Sequence, residues 1–195
     1  MTKFIHITDP HLVAPGEILH GLDPYARLSA CIDDILEHHR DAACCVITGD
    51  LAHRGESAAY AALRTQLARL PMPCFPLVGN HDIRALLAAQ CPGGPSDGNG
   101  FVQGRFDLAD ASFLLLDTLD EGRNGGLYCE QRLAWLAAEL DRLGERPTYL
   151  FMHHPPFDIG IPCLDRIGLA NPEPFARLVA CLLYTSPSPR DKRQS

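Results

Sequence analysis

Side chains that could bind metal ions follow four separate apolar runs of this sequence. They are carboxylates, imidazoles and one amide, namely Asp9, His11, Asp50, Asn80, His81, His153 and His154. Oxygen and nitrogen donors of these kinds suit Mn, Fe or Zn, and the absence of cysteine among them argues against a structural zinc site. Ligands of open α/β sheets bind beyond the carboxyl ends of the strands, where these side chains would meet. Their placement is the one that a centre of two metal ions requires.

No single one of these motifs is specific. An Asp-x-His at a strand end, such as Asp9 and His11, is by itself more often a turn cap, and Gly49-Asp50 alone is commoner as a plain turn. The prediction rests on the occurrence of all four groups in order, each at the end of an apolar run. Asp9 and His11 are two positions apart, so an extended backbone would point both to the same side.

Strand and helix patterns alternate in the first half of the chain. Apolar runs predict three buried strands, at 4–8, 44–48 and 74–78. Asp23-Pro24 is typical of a helix start, an N-cap followed by proline at the first helical position. A second helix is predicted over 57–70. Strand, helix, strand is the order of a parallel crossover unit.

A loop rich in glycine and proline, at 92–100, separates this half from the rest. The other predicted elements are short helix 83–90, strands 101–102, 112–117 and 148–152, and helices 130–143 and 171–183. The first two of these strands would pair in antiparallel register. The whole chain is therefore predicted to belong to the α/β class.

The composition indicates a globular domain of a reducing compartment. The chain has 195 residues, 46% of them hydrophobic and 21% charged, with a net charge of −7. This charge disfavours a nucleic-acid polymer as partner, although bound cations can reverse the local sign for a small anion. The eight cysteines include no C-x-x-C pair, and the sequence shows neither a signal-peptide pattern nor an apolar membrane span. We expect a cytoplasmic protein without a membrane partner.

The motifs Asp9-x-His11, Gly49-Asp50, Gly79-Asn80-His81-Asp82 and His153-His154 together resemble those of the calcineurin-like metallophosphoesterase family. The string FMHHPP at 151–156 is most similar to the bacterial branch that includes class III cyclic-nucleotide phosphodiesterases and glycerophosphodiesterases. The resemblance covers roughly residues 3–180. It implies a four-layer α/β/β/α sandwich with mixed sheets, of which the C-terminal part would be missing here.

The resemblance also implies a role for each matched residue. Asp9 and His11 would bind the first metal ion, Asp50 would bridge both ions, and Asn80 and His153 would bind the second. His81 would be catalytic and would face the leaving group, whereas His154 would lie behind the ligands or contact the substrate. The cofactors would be two divalent ions of Mn, Fe, Zn or Co.

Such a site would hydrolyse a phosphodiester bond. Two cations about 3.5–4 Å apart clamp a phosphoryl group and hold a bridging hydroxide, because the pKa of bound water can fall from about 15.7 to about 7. The hydroxide would attack phosphorus in line, and His81 would protonate the leaving alkoxide. The substrate would be a 3′,5′-cyclic nucleotide, a glycerophosphodiester or another small diester.

Arg54 leaves a phosphomonoesterase open as an alternative. The string from Gly49 to Gly55 has the spacing of the phosphatase branch's Gly-Asp-x-x-Asp-Arg-Gly, with His53 in place of the second aspartate. The arginine would suit a bidentate phosphate contact, or it is an exposed loop residue. A further alternative is a catalytically dead binding module on the same fold, since family members that lose metal ligands can serve as interaction scaffolds.

One family motif is absent from this sequence. The family's site ends in Gly-His-x-His, whose histidines complete both ligand sets, whereas His154 is the last of the nine histidines here. We therefore divide the chain into an incomplete phosphoesterase domain at 1–183 and a non-native-looking basic tail at 184–195. Our hypothesis is that the native sequence stops near 180–182 and that a frameshift or a cloning scar follows. We expect weak or no activity and poor solubility from this chain, and we leave open a homo-oligomer in the full-length form.

Overall fold

Two three-stranded sheets form the centre of this computed structural model, which describes residues 2–183. The tail predicted at 184–195 lies outside the described residues. The strands of the first sheet are β1 (Ile5–Ile7), β2 (Cys45–Thr48) and β3 (Cys74–Leu77), which pair in this order and run parallel. The helices that follow them are α1 (Pro24–His38), α2 (Ser57–Leu67) and α3 (Arg84–Gln90). The predicted crossover order of the first half is confirmed.

The second sheet is mixed. Its strands are β4 (Gly104–Asp107), β5 (Ser112–Leu115) and β6 (Thr148–Phe151). The first two pair antiparallel, whereas β6 runs parallel to β5 because helix α4 (Glu130–Leu143) forms a crossover between them. Two further helices end the described chain, α5 (Pro162–Asp165) and α6 (Pro172–Leu183).

The two sheets face each other across an aromatic core. The ring of Phe4, beside β1, lies 5.2 Å from that of Phe113 on β5 and 5.6 Å from that of Phe151 on β6. Phe75 on β3 and Phe106 on β4 stack with their ring centres 4.1 Å apart. Apolar side chains of α1 and α2 cover the outer face of the first sheet, and those of α4 and α6 cover the second. This is the four-layer α/β/β/α arrangement that the family resemblance implies.

Local signals set most helix boundaries as predicted. Asp23 caps α1, since its carboxylate accepts a hydrogen bond from the N–H of Ala26 at 3.0 Å, and Pro24 lies in the first turn. Helix α4 has the predicted bounds. Helix α2 ends at Leu67, three residues before the predicted end, in a turn where the N–H of Leu70 donates to the carbonyl of Leu67.

Within the described residues, no helix combines the length and apolarity needed to cross a membrane.

The strand predicted at 101–102 is wrong, and β4 lies a few residues later. Phe101 packs against two guanidinium groups, 5.4 Å from that of Arg84 and 4.7 Å from that of Arg132. The N–H of Val102 donates to the buried carboxylate of Asp117 at 2.9 Å rather than to a strand. A tertiary ion network therefore takes the hydrogen-bonding group that a strand would have used.

Candidate metal centre

The carboxyl ends of β1, β2, β3 and β6 meet at one edge of the molecule, where the candidate ligands lie. His153 comes from the second sheet and reaches the first, because its Nδ1 donates a hydrogen bond to the carbonyl of Thr48 at the end of β2, at 2.9 Å. The loops after the three parallel strands carry the other candidates. The centre therefore spans both sheets.

Asp50 lies between two groups of donors. Its Oδ2 is 3.4 Å from Nε2 of His11, and its Oδ1 is 3.4 Å from Nε2 of His153. The same Oδ1 accepts a hydrogen bond from the backbone N–H of His81 at 3.0 Å. Asp50 is only 5% exposed, so its carboxylate cannot turn freely into water. The two oxygens are thus held towards different neighbours, the orientation that a bridging ligand needs.

Three acceptor atoms converge on the His153 side of Asp50. Because the carbonyl of Thr48 can only accept, Nδ1 of His153 carries the proton and Nε2 of the neutral ring keeps its lone pair. This Nε2 lies 3.2 Å from Oδ1 of Asn80 and 3.4 Å from Oδ1 of Asp50. No hydrogen is available between these atoms when the ring is neutral. A divalent cation is the group whose chemistry fits such a set of donors.

The backbone at three of the candidate ligands is left-handed. The φ angles are 51° at Asp9, 42° at His11 and 49° at Asp50, values uncommon for residues with a side chain. The expectation of extended backbone at Asp9 and His11 is therefore wrong, although their polar atoms do lie close, with Oδ1 of Asp9 3.9 Å from Nε2 of His11. Hydrogen bonds to the loop after β2 hold this conformation, including that from the N–H of His11 to the carbonyl of Asp50 at 2.9 Å.

Two glycines make room for the close packing of these groups. A Cβ at Gly49 would come within 2.6 Å of Nδ1 of His153, and φ there is 81°. A Cβ at Gly79 would lie 2.8 Å from Nε2 of His153 and closer still to the carboxylate of Asp50. Glycine is therefore required at both positions by contact with the candidate ligands, and at Gly49 also by the backbone.

Asp82 ties the loops of the centre together, a role that the sequence did not reveal. Its buried carboxylate accepts hydrogen bonds from the N–H groups of Leu51 at 3.0 Å, Ala52 at 3.1 Å and Gly79 at 2.9 Å. The hydroxyl of Tyr60 donates a fourth, at 3.0 Å. Burial raises the pKa of Asp82, although the backbone donors oppose that rise. Asp82 thereby fixes the loop after β2 to the loop after β3.

His81 faces the centre with its Nε2. Its Nδ1 donates to the carbonyl of His53 at 2.7 Å, so Nε2 keeps the lone pair of the neutral ring. Nε2 lies 4.0 Å from Oδ2 of Asp50, and the side chain is partly open to solvent. The ring thus presents Nε2 to the centre beside the rings of His11 and His53.

His53 also belongs to the site, although it was not among the residues predicted from the sequence. Its Nδ1 lies 3.4 Å from Nδ1 of His11, and its ring stacks on that of His81 with centres 5.2 Å apart. The described chain has two groups of donor atoms that lie close enough to hold a metal ion. One consists of His11, His53 and His81, and the other of Asp9, Asp50 and His153. The signal for His53 in the sequence was its position in the string from Gly49 to Gly55, where the phosphatase branch's Gly-Asp-x-x-Asp-Arg-Gly has its second aspartate.

His154 is buried behind His153 and has both ring nitrogens engaged. Its Nε2 donates to the carbonyl of Asn124 at 3.2 Å, and its Nδ1 accepts from the hydroxyl of Thr118 at 2.8 Å. The side chain is 2% exposed, and this burial lowers its pKa to about 4. A neutral ring with no free nitrogen supports the chain around His153 but offers no ligand.

Arg54 is exposed and paired with acidic side chains. Its Nη1 lies 3.2 Å from Glu17 and 3.3 Å from Glu56, and its side chain is 58% exposed. Its charge is thus balanced by two carboxylates on the surface.

A cleft of about 340 Å³ opens beside Asp9 and His11. Its walls include apolar side chains of the first loop and α1, a basic side chain and an imidazole, namely Leu19, Leu22, Leu28, Arg27 and His20. Its volume is at the lower end of the range for small-molecule sites. The cleft can therefore hold part of a small molecule next to the candidate ligands.

Comparison with known families identifies the class of protein. The model of the family described as "Calcineurin-like phosphoesterase" matches residues 2–180, and the chain therefore belongs to this family. Among curated relatives, a protein of Rhodopseudomonas palustris named "Probable cyclic nucleotide phosphodiesterase" is 45% identical over 181 residues, which is 91% of this chain and 66% of the relative.

Two further relatives carry more specific names. The glycerophosphodiester phosphodiesterase GpdQ of Enterobacter lignolyticus is 31% identical, over 89% of this chain and 64% of the relative. The 3′,5′-cyclic adenosine monophosphate phosphodiesterase CpdA of Escherichia coli is 34% identical, over 87% of this chain and 61% of the relative. The chain thus spans slightly less than two thirds of the length of these relatives.

Proposed function

We propose that this centre binds two divalent cations and hydrolyses a small phosphodiester, either a 3′,5′-cyclic nucleotide or a glycerophosphodiester. The observation that carries the proposal is the division of the Asp50 carboxylate between Nε2 of His11 and Nε2 of His153, each at 3.4 Å. A carboxylate shared in this way supports a pair of cations rather than a single one.

The donor atoms of the residues present fit two cations, each with its own set of ligands. Asp9 and His11 would hold the first, Asn80 and His153 the second, and Asp50 both. The convergence of three acceptor atoms at His153 supports this assignment, as does the space that Gly79 leaves beside Asp50. When bound, cations of this kind neutralise charge on a phosphoryl group and lower the pKa of water, which is the chemistry that ester hydrolysis needs.

His81 places a nitrogen that can exchange protons, Nε2, on the open side of the centre. Its Nδ1 is held by the carbonyl of His53, so the ring orientation is fixed and Nε2 is the atom that exchanges protons. A general acid at this place would protonate the leaving alkoxide, a contribution of about 10²–10⁴-fold in rate. The backbone N–H of the same residue fixes Oδ1 of Asp50, so His81 also orders the shared carboxylate.

The cleft beside Asp9 and His11 supports a small substrate. Its volume of about 340 Å³ suits one ester group of a nucleotide or glycerol diester, and Arg27 provides a positive charge in its wall. The net charge of −7 disfavours a long polyanion. The names of the relatives, which are cyclic nucleotide and glycerophosphodiester phosphodiesterases, point to the same two substrate classes.

Hydrolysis assays with added Mn²⁺ test this proposal. We expect bis(p-nitrophenyl) phosphate to be cleaved faster than p-nitrophenyl phosphate, and one of cyclic AMP and a glycerophosphodiester to be cleaved faster than the other. Asp50→Asn should abolish the rate, and Asp34→Asn, a change on the exposed surface of α1, should leave it unchanged. Metal binding without turnover of any diester, by this chain and by a form that carries the Gly-His-x-His motif, would refute the hydrolase and favour a binding module. Failure of both forms to bind any metal would refute the centre itself.

A further inference from the structure

We infer that His53 is a positioning residue that sets the metal-binding form of His11. The inference rests on the proposed function only in taking His11 as a ligand. Nδ1 of His53 faces Nδ1 of His11 at 3.4 Å, while Nε2 of His11 faces Oδ2 of Asp50 at 3.4 Å and Oδ1 of Asp9 at 3.9 Å. His11 thus has its two nitrogens directed to two different environments.

The positions of the protons follow from this arrangement. For Nε2 of a neutral His11 to offer a lone pair to a cation, the proton of the ring must be on Nδ1. That proton then needs an acceptor, and Nδ1 of His53 is the acceptor within reach. His53 accordingly carries its own proton on Nε2. Partners of this kind fix both the tautomer and the orientation of a histidine ligand.

The same residue also orients His81. The carbonyl of His53 accepts from Nδ1 of His81 at 2.7 Å, and the two rings stack at 5.2 Å with an angle of 19° between their planes. The backbone of His53 is itself held, because its N–H donates to the carbonyl of Leu12 at 2.8 Å. A single rigid residue therefore contacts a candidate ligand through its ring nitrogen and the candidate acid through its carbonyl and ring face.

The test separates the ring nitrogen of His53 from its backbone. His53→Ala removes the acceptor for His11 but keeps the carbonyl that His81 uses. His53→Asn replaces the ring by an amide whose oxygen can accept near the original position. His38→Ala, which removes an exposed imidazole at the end of α1, is the matched control.

Two measurements decide the inference. Long-range ¹H–¹⁵N NMR of the metal-free protein should show a larger fraction of His11 with its proton on Nδ1 in the native protein and in His53→Asn than in His53→Ala. In His53→Ala it should show a shift towards the form with the proton on Nε2. Calorimetric titration with Mn²⁺ should show about 10–100-fold weaker binding for His53→Ala, restoration by His53→Asn and no change for His38→Ala.

An unchanged His11 tautomer together with native Mn²⁺ affinity in His53→Ala would overturn the inference. If His53→Ala does not fold, His53→Leu makes the same comparison with the volume retained and no acceptor. The NMR result needs neither metal nor turnover, so it stands even if the proposed hydrolase activity fails. Equal effects of His53→Ala and His53→Asn on the tautomer would also contradict a role for the acceptor atom.

Discussion

The hydroxyl of Tyr60 donates a hydrogen bond to the carboxylate of Asp82 at 3.0 Å. The same hydroxyl accepts one from the N–H of Ile83 at 2.8 Å. Tyr60 lies on α2 and is fully buried, so this contact joins the helix to the loop that carries Asn80 and His81. Burial, followed by the charge of Asp82, raises the pKa of Tyr60, and the phenol therefore stays protonated as a donor. The loop geometry of the centre thus depends on a helix that supplies no ligand.

Tyr60→Phe should destabilise the protein by about 2 kcal/mol, because a buried carboxylate loses a donor and the N–H of Ile83 loses its acceptor. Thermal unfolding should shift downward by about 4–8 °C for a chain of this size. Tyr25→Phe is the control, since within residues 2–183 the Tyr25 hydroxyl makes no hydrogen bond. Equal melting temperatures for the two variants would contradict the structural role of the Tyr60 hydroxyl.

Gly79→Ala should disrupt the centre by steric contact alone. The added Cβ would lie 2.8 Å from Nε2 of His153 and would displace the Asp50 carboxylate. We expect a loss of about 1–3 kcal/mol in the free energy of unfolding, measured by chemical denaturation, and weaker Mn²⁺ binding. Gly104→Ala is the matched control, because the nearest atom to its Cβ would be 3.4 Å away. A fully stable Gly79→Ala variant with native Mn²⁺ affinity would show that the ligands can move apart without cost.

Bound metal should stabilise the folded chain. At a metal concentration 100-fold above Kd, binding adds about 2.7 kcal/mol, which corresponds to a rise of about 5–10 °C in Tm. Adding Mn²⁺ should therefore raise Tm, and excess EDTA should reverse the rise. Asp50→Asn should remove the effect, whereas Asp34→Asn, on an exposed part of α1, should preserve it. A Tm that responds equally in both variants would place the stabilising ion elsewhere.

Arg132→Met should be strongly destabilising although it lies away from the centre. The Arg132 side chain is 4% exposed, and its Nη1 donates to the carbonyls of Asp117 at 2.7 Å and Leu119 at 3.1 Å. We expect a cost of about 3 kcal/mol, because buried acceptors and part of the Asp117 charge lose their partner.

The control for this prediction lies on the same helix. Arg142 is 65% exposed, and its largely buried partner Glu139 keeps Arg105 at 3.5 Å, so Arg142→Met should cost about 1 kcal/mol or less. Urea denaturation of both variants measures the difference. Similar losses for the two arginines would argue against the buried network around Asp117.

Arg54→Ala should leave both stability and substrate preference nearly unchanged. Its guanidinium is engaged by Glu17 and Glu56 at the surface, where water and salt screen ion pairs and leave them little net effect on stability. The ratio of diester to monoester hydrolysis should change by less than about twofold, as measured with the two p-nitrophenyl esters. A selective loss of monoester hydrolysis would instead support the phosphatase alternative that the sequence left open.

Element types and most boundaries could be predicted from local sequence. The Asp23-Pro24 start of α1 and the limits of α4 depend on capping and on helical spacing, which are properties of neighbouring residues. The strand predicted at 101–102 failed because Arg84, Arg132 and Asp117 occupy its backbone and side chain. Such contacts join residues far apart in the chain, and no local pattern contains them.

The sequence by itself determined which donors stand at the strand ends, because a strand that stops before Asp50 or His153 delivers that side chain to the sheet edge. Only the tertiary structure decided how they meet. Left-handed backbone at Asp9 and His11, rather than extended strand, brings their polar atoms together, and it is held by hydrogen bonds from the loop after β2. The place of His53 beside His11 likewise follows from the pairing of two loops, a long-range contact that spacing along the chain cannot express.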